Sequence, residues 1–141
     1  MKQQLFFLES EGGRPSPESA LFHVLPVPYE KTVSYGRGTE QGPAAIINAS
    51  QQLEAYDGMT IPLEHGIFTY DFIDCSARGP IVLAEIEETV KSILAAGKIP
   101  VTLGGEHTVS YSPICAMIKH YGRIGVIHFD AHADLRDEFE G

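Results

Sequence analysis

The chain has 141 residues, 43% apolar and 21% charged, with no tryptophan; this is enough length and apolar content for one domain with a real core. Ten basic against nineteen acidic residues leave a formal charge of −9, which argues against a nucleic-acid or anionic-membrane partner. The same acidity favours approach of a cationic ligand, although it is also common among soluble cytosolic enzymes. No apolar run reaches the length of a membrane span, and Leu5-Phe-Phe-Leu8 is too short for a signal-peptide core. The two cysteines, Cys75 and Cys115, have no CxxC spacing and read as reduced, packed thiols of a cytoplasmic protein.

In chain order, residues 1–19 are expected to be irregular, because Glu11-Gly-Gly-Arg-Pro-Ser-Pro17 has the composition of a mobile arm. Ala20–Leu25 reads as the first strand, stopped by Pro26-Val-Pro28. A long loop follows from Tyr29 to Gly42. Its glycines point to positive φ or close backbone approach, but the absence of a Gly-Lys-Ser/Thr ending sets aside a phosphate-cradling role. Pro43–Glu54 is predicted to be a helix, with proline at its first turn and Ile46, Ile47, Ser50 and Leu53 at helical spacing. Ile67–Ile73 alternates as a strand with an acidic end and is expected at a sheet edge.

Pro80–Ala96 carries the strongest helical pattern, with Val82, Ile86, Val90, Ile93 and Leu94 on one stripe and Gly97 just beyond. Lys98–Leu103 is the next strand and runs directly into Gly104-Gly-Glu-His107. A helix starting near Ser112-Pro113 should turn Ile114, Met117, Ile118 and Tyr121 inward. Gly122 ends it, and Ile124-Gly-Val-Ile-His-Phe129 reads as a strand buried in the interior of a parallel sheet. Alternating strands and helices predict an α/β fold, a three-layer αβα sandwich with a mainly parallel sheet.

Chemistry collects at the carboxyl ends of such strands. Asp130, His132 and Asp134 stand at i, i+2 and i+4, so in extended backbone they share a face. Two carboxylates and an imidazole at one point repel and desolvate one another unless a cation is present. If the strand before His107 is the sheet neighbour of Ile124–Phe129, His107 joins them as a fourth ligand. This mixed oxygen and nitrogen set suits Mn(II), Zn(II), Fe(II) or Co(II). It fills one tetrahedral site or half of a two-metal site with Asp130 bridging. Glu106 is either an acceptor for an imidazole N–H or an exposed acid at a helix start.

Gly104-Gly-Glu-His107-Thr-Val-Ser and Phe129-Asp-Ala-His-Ala-Asp-Leu-Arg136-Asp-Glu-Phe-Glu-Gly141 resemble the first two metal motifs of the ureohydrolases, the arginase and agmatinase family. Gly38-Thr-Glu-Gln-Gly-Pro-Ala-Ala-Ile46 and Leu53-Glu-Ala-Tyr-Asp57 are similar to the agmatinase branch, and the resemblance runs over about residues 21–141. It implies two Mn(II) ions per complete site: His107 and Asp134 on one, His132 on the other, and Asp130 bridging them. It further implies attack of a metal-bridging hydroxide, oriented by Asp134, on a guanidinium carbon, turning agmatine into putrescine and urea. Arg136 stands where arginases carry an asparagine that reads an α-carboxylate, and Glu138 and Glu140 are either surface acids, the preferred reading, or help to hold a cationic substrate. Guanidinobutyrate and formiminoglutamate are the alternative substrates. Family members are commonly trimers or hexamers and about twice this long, with further metal-binding aspartates in their later half. By that comparison residues 20–141 form the amino-terminal part of a ureohydrolase domain, inactive alone, or a non-catalytic metal-binding piece.

Overall fold

The computed structural model of the protein describes residues 5–134. The expectations attached to Arg136, Glu138 and Glu140 lie outside those residues. Three parallel strands, β1 (Phe22–Val27), β2 (Ile67–Thr69) and β3 (Ile99–Gly104), form a sheet in the order β2-β1-β3. The described residues also hold α1 (Glu9–Gly12), α2 (Gly42–Ser50), α3 (Gly79–Ala95) and α4 (Tyr111–Tyr121).

On one face of the sheet, Leu25 and Val27 of β1 pack with Val82, Ile86, Val90 and Leu94 of α3 and with Val109 and Ala116. All five residues of the α3 stripe are buried, and each such aliphatic side chain removed from water contributes about 1.5–3 kcal/mol. On the other face, Ser50 of α2 accepts a hydrogen bond from the Leu8 N–H at 2.8 Å, and Thr69 accepts one from Phe7 at 2.9 Å. Helices therefore cover both faces of a parallel sheet, the α/β architecture expected.

Several boundaries move for identifiable reasons. The first strand does not stop at Leu25 but runs through Pro26 to Val27. Pro26 points its donor-less nitrogen toward the β2 side, where the ladder has already ended, so the missing N–H is never called for. The same residue shortens β2. Tyr70 N–H still reaches Val24 O at 2.9 Å, but Pro26 O is met at 3.0 Å by Ile73, one residue beyond the unbroken register. Of the strand expected over Ile67–Ile73, only three residues pair.

The helix expected to reach Glu54 ends at Ser50, where the side chains of Ser50 and Gln51 turn to hold the leader: Gln51 donates to Phe6 O at 2.8 Å. That leader is not irregular throughout, since Glu9–Gly12 make one helical turn and Leu8 is buried. In α4 Ser112 and Ala116 are the buried residues and Met117 packs against the core as expected, Ile114 is half-buried, and Ile118 and Tyr121 are exposed; small residues permit the close approach to α3 that larger ones would prevent.

The largest correction concerns Ile124–Phe129. It is not a strand of the sheet, no strand among the described residues pairs with it, and Phe129 is 94% exposed. A run of β-branched residues states a preference for burial, and the described residues do not cover this one.

His23 on β1 is 2% exposed, with Nδ1 at 3.2 Å from the Tyr70 hydroxyl and Nε2 at 3.0 Å from Pro17 O. Burial pushes its pKa below the ordinary histidine value of 6.5. The unfolded chain therefore binds this proton more readily than the folded one. The stabilisation held by neutral His23 is complete above pH 6.5 and is lost as pH falls through the lower folded value. Denaturant unfolding of the full-length protein between pH 7.5 and 5, run beside His23→Gln, should give a wild-type stability that falls on acidification and a flatter profile for the variant. Parallel profiles would contradict this assignment.

Candidate metal centre

The β1–β3 ladder continues past both strand ends. Gly105 N–H reaches Val27 O at 3.0 Å and Glu106 N–H reaches Tyr29 O at 2.9 Å. A Cβ on Gly105 would collide with the Tyr29 carbonyl, and one on Gly104 with the Val109 side chain, so only glycine allows this approach and the immediate turn that follows it. The turn is a 3₁₀ segment, His107–Ser110, and its first residue carries the imidazole.

His107 Nδ1 lies 3.2 Å from Asp130 Oδ2 and 3.5 Å from Asp134 Oδ2. His128 joins them, with Nε2 at 3.5 Å from Asp130 Oδ2 and its ring edge-on to His107 at 5.1 Å. One donor atom from each of His107, His128, Asp130 and Asp134 falls within a mutual 4.8 Å, a grouping able to hold a metal ion. Of the residues singled out in the sequence, the structure thus brings His107, Asp130 and Asp134 to one point.

His132 sits apart from that group, 83% exposed at its side chain, with Nδ1 at 3.2 Å from Asp130 Oδ1. The backbone explains why. Strand alternation does not persist to Asp134, because Ala131 and His132 form a bend closed by the His132 N–H on Asp130 Oδ1 at 2.8 Å. Asp134 then takes a left-handed φ of 50°, a conformation aspartate tolerates better than most residues. The carboxylate of Asp130 consequently faces two ways, Oδ2 toward His107, His128 and Asp134 and Oδ1 toward His132. The His132 N–H holds the Asp130 carboxyl below its ordinary pKa against the effect of burial, with smaller help from the imidazoles of His128, His132 and His107.

Sequence reasoning missed His128 because it lay inside the run read as a buried strand. The signal was present, since His128 precedes Asp130 by the same two-residue step that singled out His132. Glu106 fits neither role expected of it. It is 7% exposed and accepts hydrogen bonds from the N–H groups of Lys31 and Thr32, both at 2.8 Å, and from the Thr32 hydroxyl. The long loop also folds around a second acid: Glu30 Oε2 accepts from Gly38 N at 2.7 Å and from Thr39 Oγ1 and Glu40 N at 3.0 Å. The N–H groups that might cradle a phosphate are engaged by the loop's own carboxylate.

A family model described as the Arginase family matches residues 20–141. The chain is 37% identical to an N(1)-aminopropylagmatine ureohydrolase of Synechocystis sp., over 96% of this chain and 47% of that protein. It is 40% identical to an agmatinase of Bacillus subtilis, over 91% of this chain and 45% of that one. Among solved structures, the agmatine ureohydrolase of Thermoplasma volcanium superposes with a TM-score of 0.85 at 26% identity, covering 100% of this chain and 46% of that one. The chain spans about half the length of the curated relatives it matches.

The donor set itself suits a cation: the carboxylates of Asp130 and Asp134 repel each other where they converge, and His107 and His128 bring imidazole nitrogens to the same point. Calorimetric melting of the full-length protein should shift upward with Mn(II) and return to baseline with a chelator, by about 2.7 kcal/mol at a hundredfold excess over Kd. Asp130→Ala, which removes both faces of the central carboxylate, should abolish the shift, and His107→Ala should diminish it. A wild-type melt indifferent to divalent cations would remove the metal-centre reading.

Proposed function

Since the chain belongs to the arginase family, we propose that the protein hydrolyses the guanidinium group of a small cationic substrate, converting agmatine to putrescine and urea. The observation that carries this reading is the two-sided use of Asp130, with His107 and Asp134 on one oxygen and His132 on the other. That arrangement fits a pair of Mn(II) ions, one held by His107 and Asp134, the other by His132, and both by Asp130. When bound, such a pair supplies Lewis-acid activation of water at neutral pH, which a resonance-stabilised guanidinium carbon requires of its nucleophile.

The chain's own residues contribute position and charge. Asp130 keeps its carboxylate ionised because the His132 N–H and the surrounding imidazoles favour the charged form. Asp134, turned inward by its left-handed backbone, is the residue that accepts a hydrogen bond from the attacking water and orients it. The formal charge of −9 draws a cation toward the site and disfavours an anionic substrate. We place residues 20–141 as the amino-terminal part of a ureohydrolase domain in a cytoplasmic homo-oligomer, a trimer or hexamer. Both cysteines are free thiols, and no helix among the described residues is long and apolar enough to cross a membrane.

A second substrate is favoured by a specific observation, the similarity to an N(1)-aminopropylagmatine ureohydrolase. That compound and agmatine share the reacting guanidinium and differ in charge elsewhere. The test is urea release by the full-length protein with Mn(II), comparing agmatine, N(1)-aminopropylagmatine, 4-guanidinobutyrate and arginine. Agmatine should have the highest kcat/KM, and Asp134→Asn should lower kcat by at least about a hundredfold, the size expected for loss of a positioned hydrogen-bonding group. The 141-residue chain alone should release none, because residues 124–134, which carry His128, Asp130, His132 and Asp134, are left uncovered. No urea from any of the four compounds would refute the hydrolase reading. A preference for N(1)-aminopropylagmatine would keep the chemistry and reassign the substrate.

A further inference from the structure

The loop after β1 and the turn that carries His107 are joined through one buried carboxylate. Glu106 donates its own N–H to Tyr29 O at 2.9 Å, while its side chain turns back to accept the N–H groups of Lys31 and Thr32 at 2.8 Å each and the Thr32 hydroxyl. The Thr108 side chain completes the set. One residue is therefore bonded to the stretch 29–32 from both its backbone and its side chain. Gly105 makes this reachable, since any Cβ there would strike the Tyr29 carbonyl.

Burial works against ionisation of this acid, but the hydrogen bonds from Thr32, Lys31 and Thr108 outweigh it and bring its pKa below the ordinary glutamate value. The loop is tied down on its other side as well, where Lys31 Nζ reaches the carbonyls of Ser76 and Ala77. The Glu106 backbone is consequently held extended, at φ −76° and ψ 161°, and this fixes where the next residue, His107, leaves the sheet.

We infer that Glu106 is a positioning residue of the metal centre: by clasping Lys31 and Thr32 to the end of β3, it sets the His107 imidazole at its distance from Asp130 and Asp134. The inference rests on the reading of His107 as a ligand. It adds the device that aims the ligand and makes the Tyr29–Gly42 loop part of that device. The hydrogen bonds of Glu106 go to Tyr29, Lys31 and Thr32 rather than to the clustered groups; it acts through the backbone of its neighbour. Partners that orient a ligand typically change metal affinity by 10–100-fold when lost.

The experiment is a titration of the metal-free full-length protein with Mn(II), without substrate, beside thermal melting of the same samples. Glu106→Gln keeps the shape but presents an amide N–H₂ to backbone donors. It should raise the Mn(II) Kd by about tenfold or more, whereas Glu106→Asp, which retains the acceptor charge, should recover much of the affinity. Ile93→Ala, a core change near the carboxyl end of α3 and outside the cluster that holds Val109 and Tyr29, should lower the melting temperature and leave the Kd unchanged. Should Glu106→Gln not fold, Thr32→Val removes a single donor from the clasp and should weaken Mn(II) binding in the same direction by a smaller factor.

Wild-type affinity in Glu106→Gln overturns the inference. So does an affinity loss in Ile93→Ala matching that of Glu106→Gln at equal destabilisation, or, with Glu106→Gln unfolded, unchanged affinity in Thr32→Val. A wild-type protein that binds Mn(II) and releases no urea sinks the proposed hydrolysis and leaves this comparison standing. One that binds no Mn(II) ends both.

Discussion

The pairing of β1 with β3 sets the position of nearly everything else. Six residues of each strand stand in parallel register, from Phe22 opposite Ile99 to Val27 opposite Gly104, and the hydrogen bonds continue through Gly105 and Glu106 to Tyr29. Parallel pairing brings both carboxyl ends to the same edge, so the loop after β1 and the turn after β3 start side by side. The loop is then gathered by two acids, Glu30 over Gly38–Glu40 and Glu106 over Lys31–Thr32. Both acids satisfy backbone donors that have no ladder to join, which is what an irregular segment at a sheet edge requires.

Against this fixed edge stands a group of charges whose arrangement is costly by itself. Asp130 and Asp134 carry like charge toward one imidazole, and hydrogen bonding favours the ionised form of Asp130. A fold that only needed to bury or cap these residues would separate them. The bend at Ala131–His132 and the left-handed φ at Asp134 bring them together instead. Local strain that serves no packing purpose is expected where a site is being built.

How much of this was legible in the sequence depended on whether the deciding interaction was local. The α3 stripe was read residue by residue, since helical periodicity and its end signals are properties of seventeen consecutive positions. The strand leading into Gly104-Gly-Glu-His107 was likewise clear, as were the ligand-type residues at its end. What depended on distant partners was not. Pro26 was taken as a stop because its neighbour on the β2 side could not be known. Glu106 was read by its place in a motif, whereas its role is set by Lys31 and Thr32, 75 and 74 residues away. His128 was hidden by the reading of its surroundings as buried strand. Alternation points to Asp130 and Asp134, and the structure brings both beside His107 by a bend rather than by a straight strand.

The two halves of the candidate centre consequently differ in how firmly they are held. His107 leaves a paired strand through a turn fixed by backbone hydrogen bonds and a buried carboxylate. His128, Asp130, His132 and Asp134 ride on a segment with no ladder among the described residues, its Val126, Ile127 and Phe129 side chains exposed. Ligand geometry must hold to within a fraction of an ångström for tight coordination, and rigid elements achieve this better than loops. The β3 half is therefore fixed by paired backbone, whereas the 124–134 half is shaped by local contacts alone, the His132 N–H on Asp130 and the left-handed backbone at Asp134.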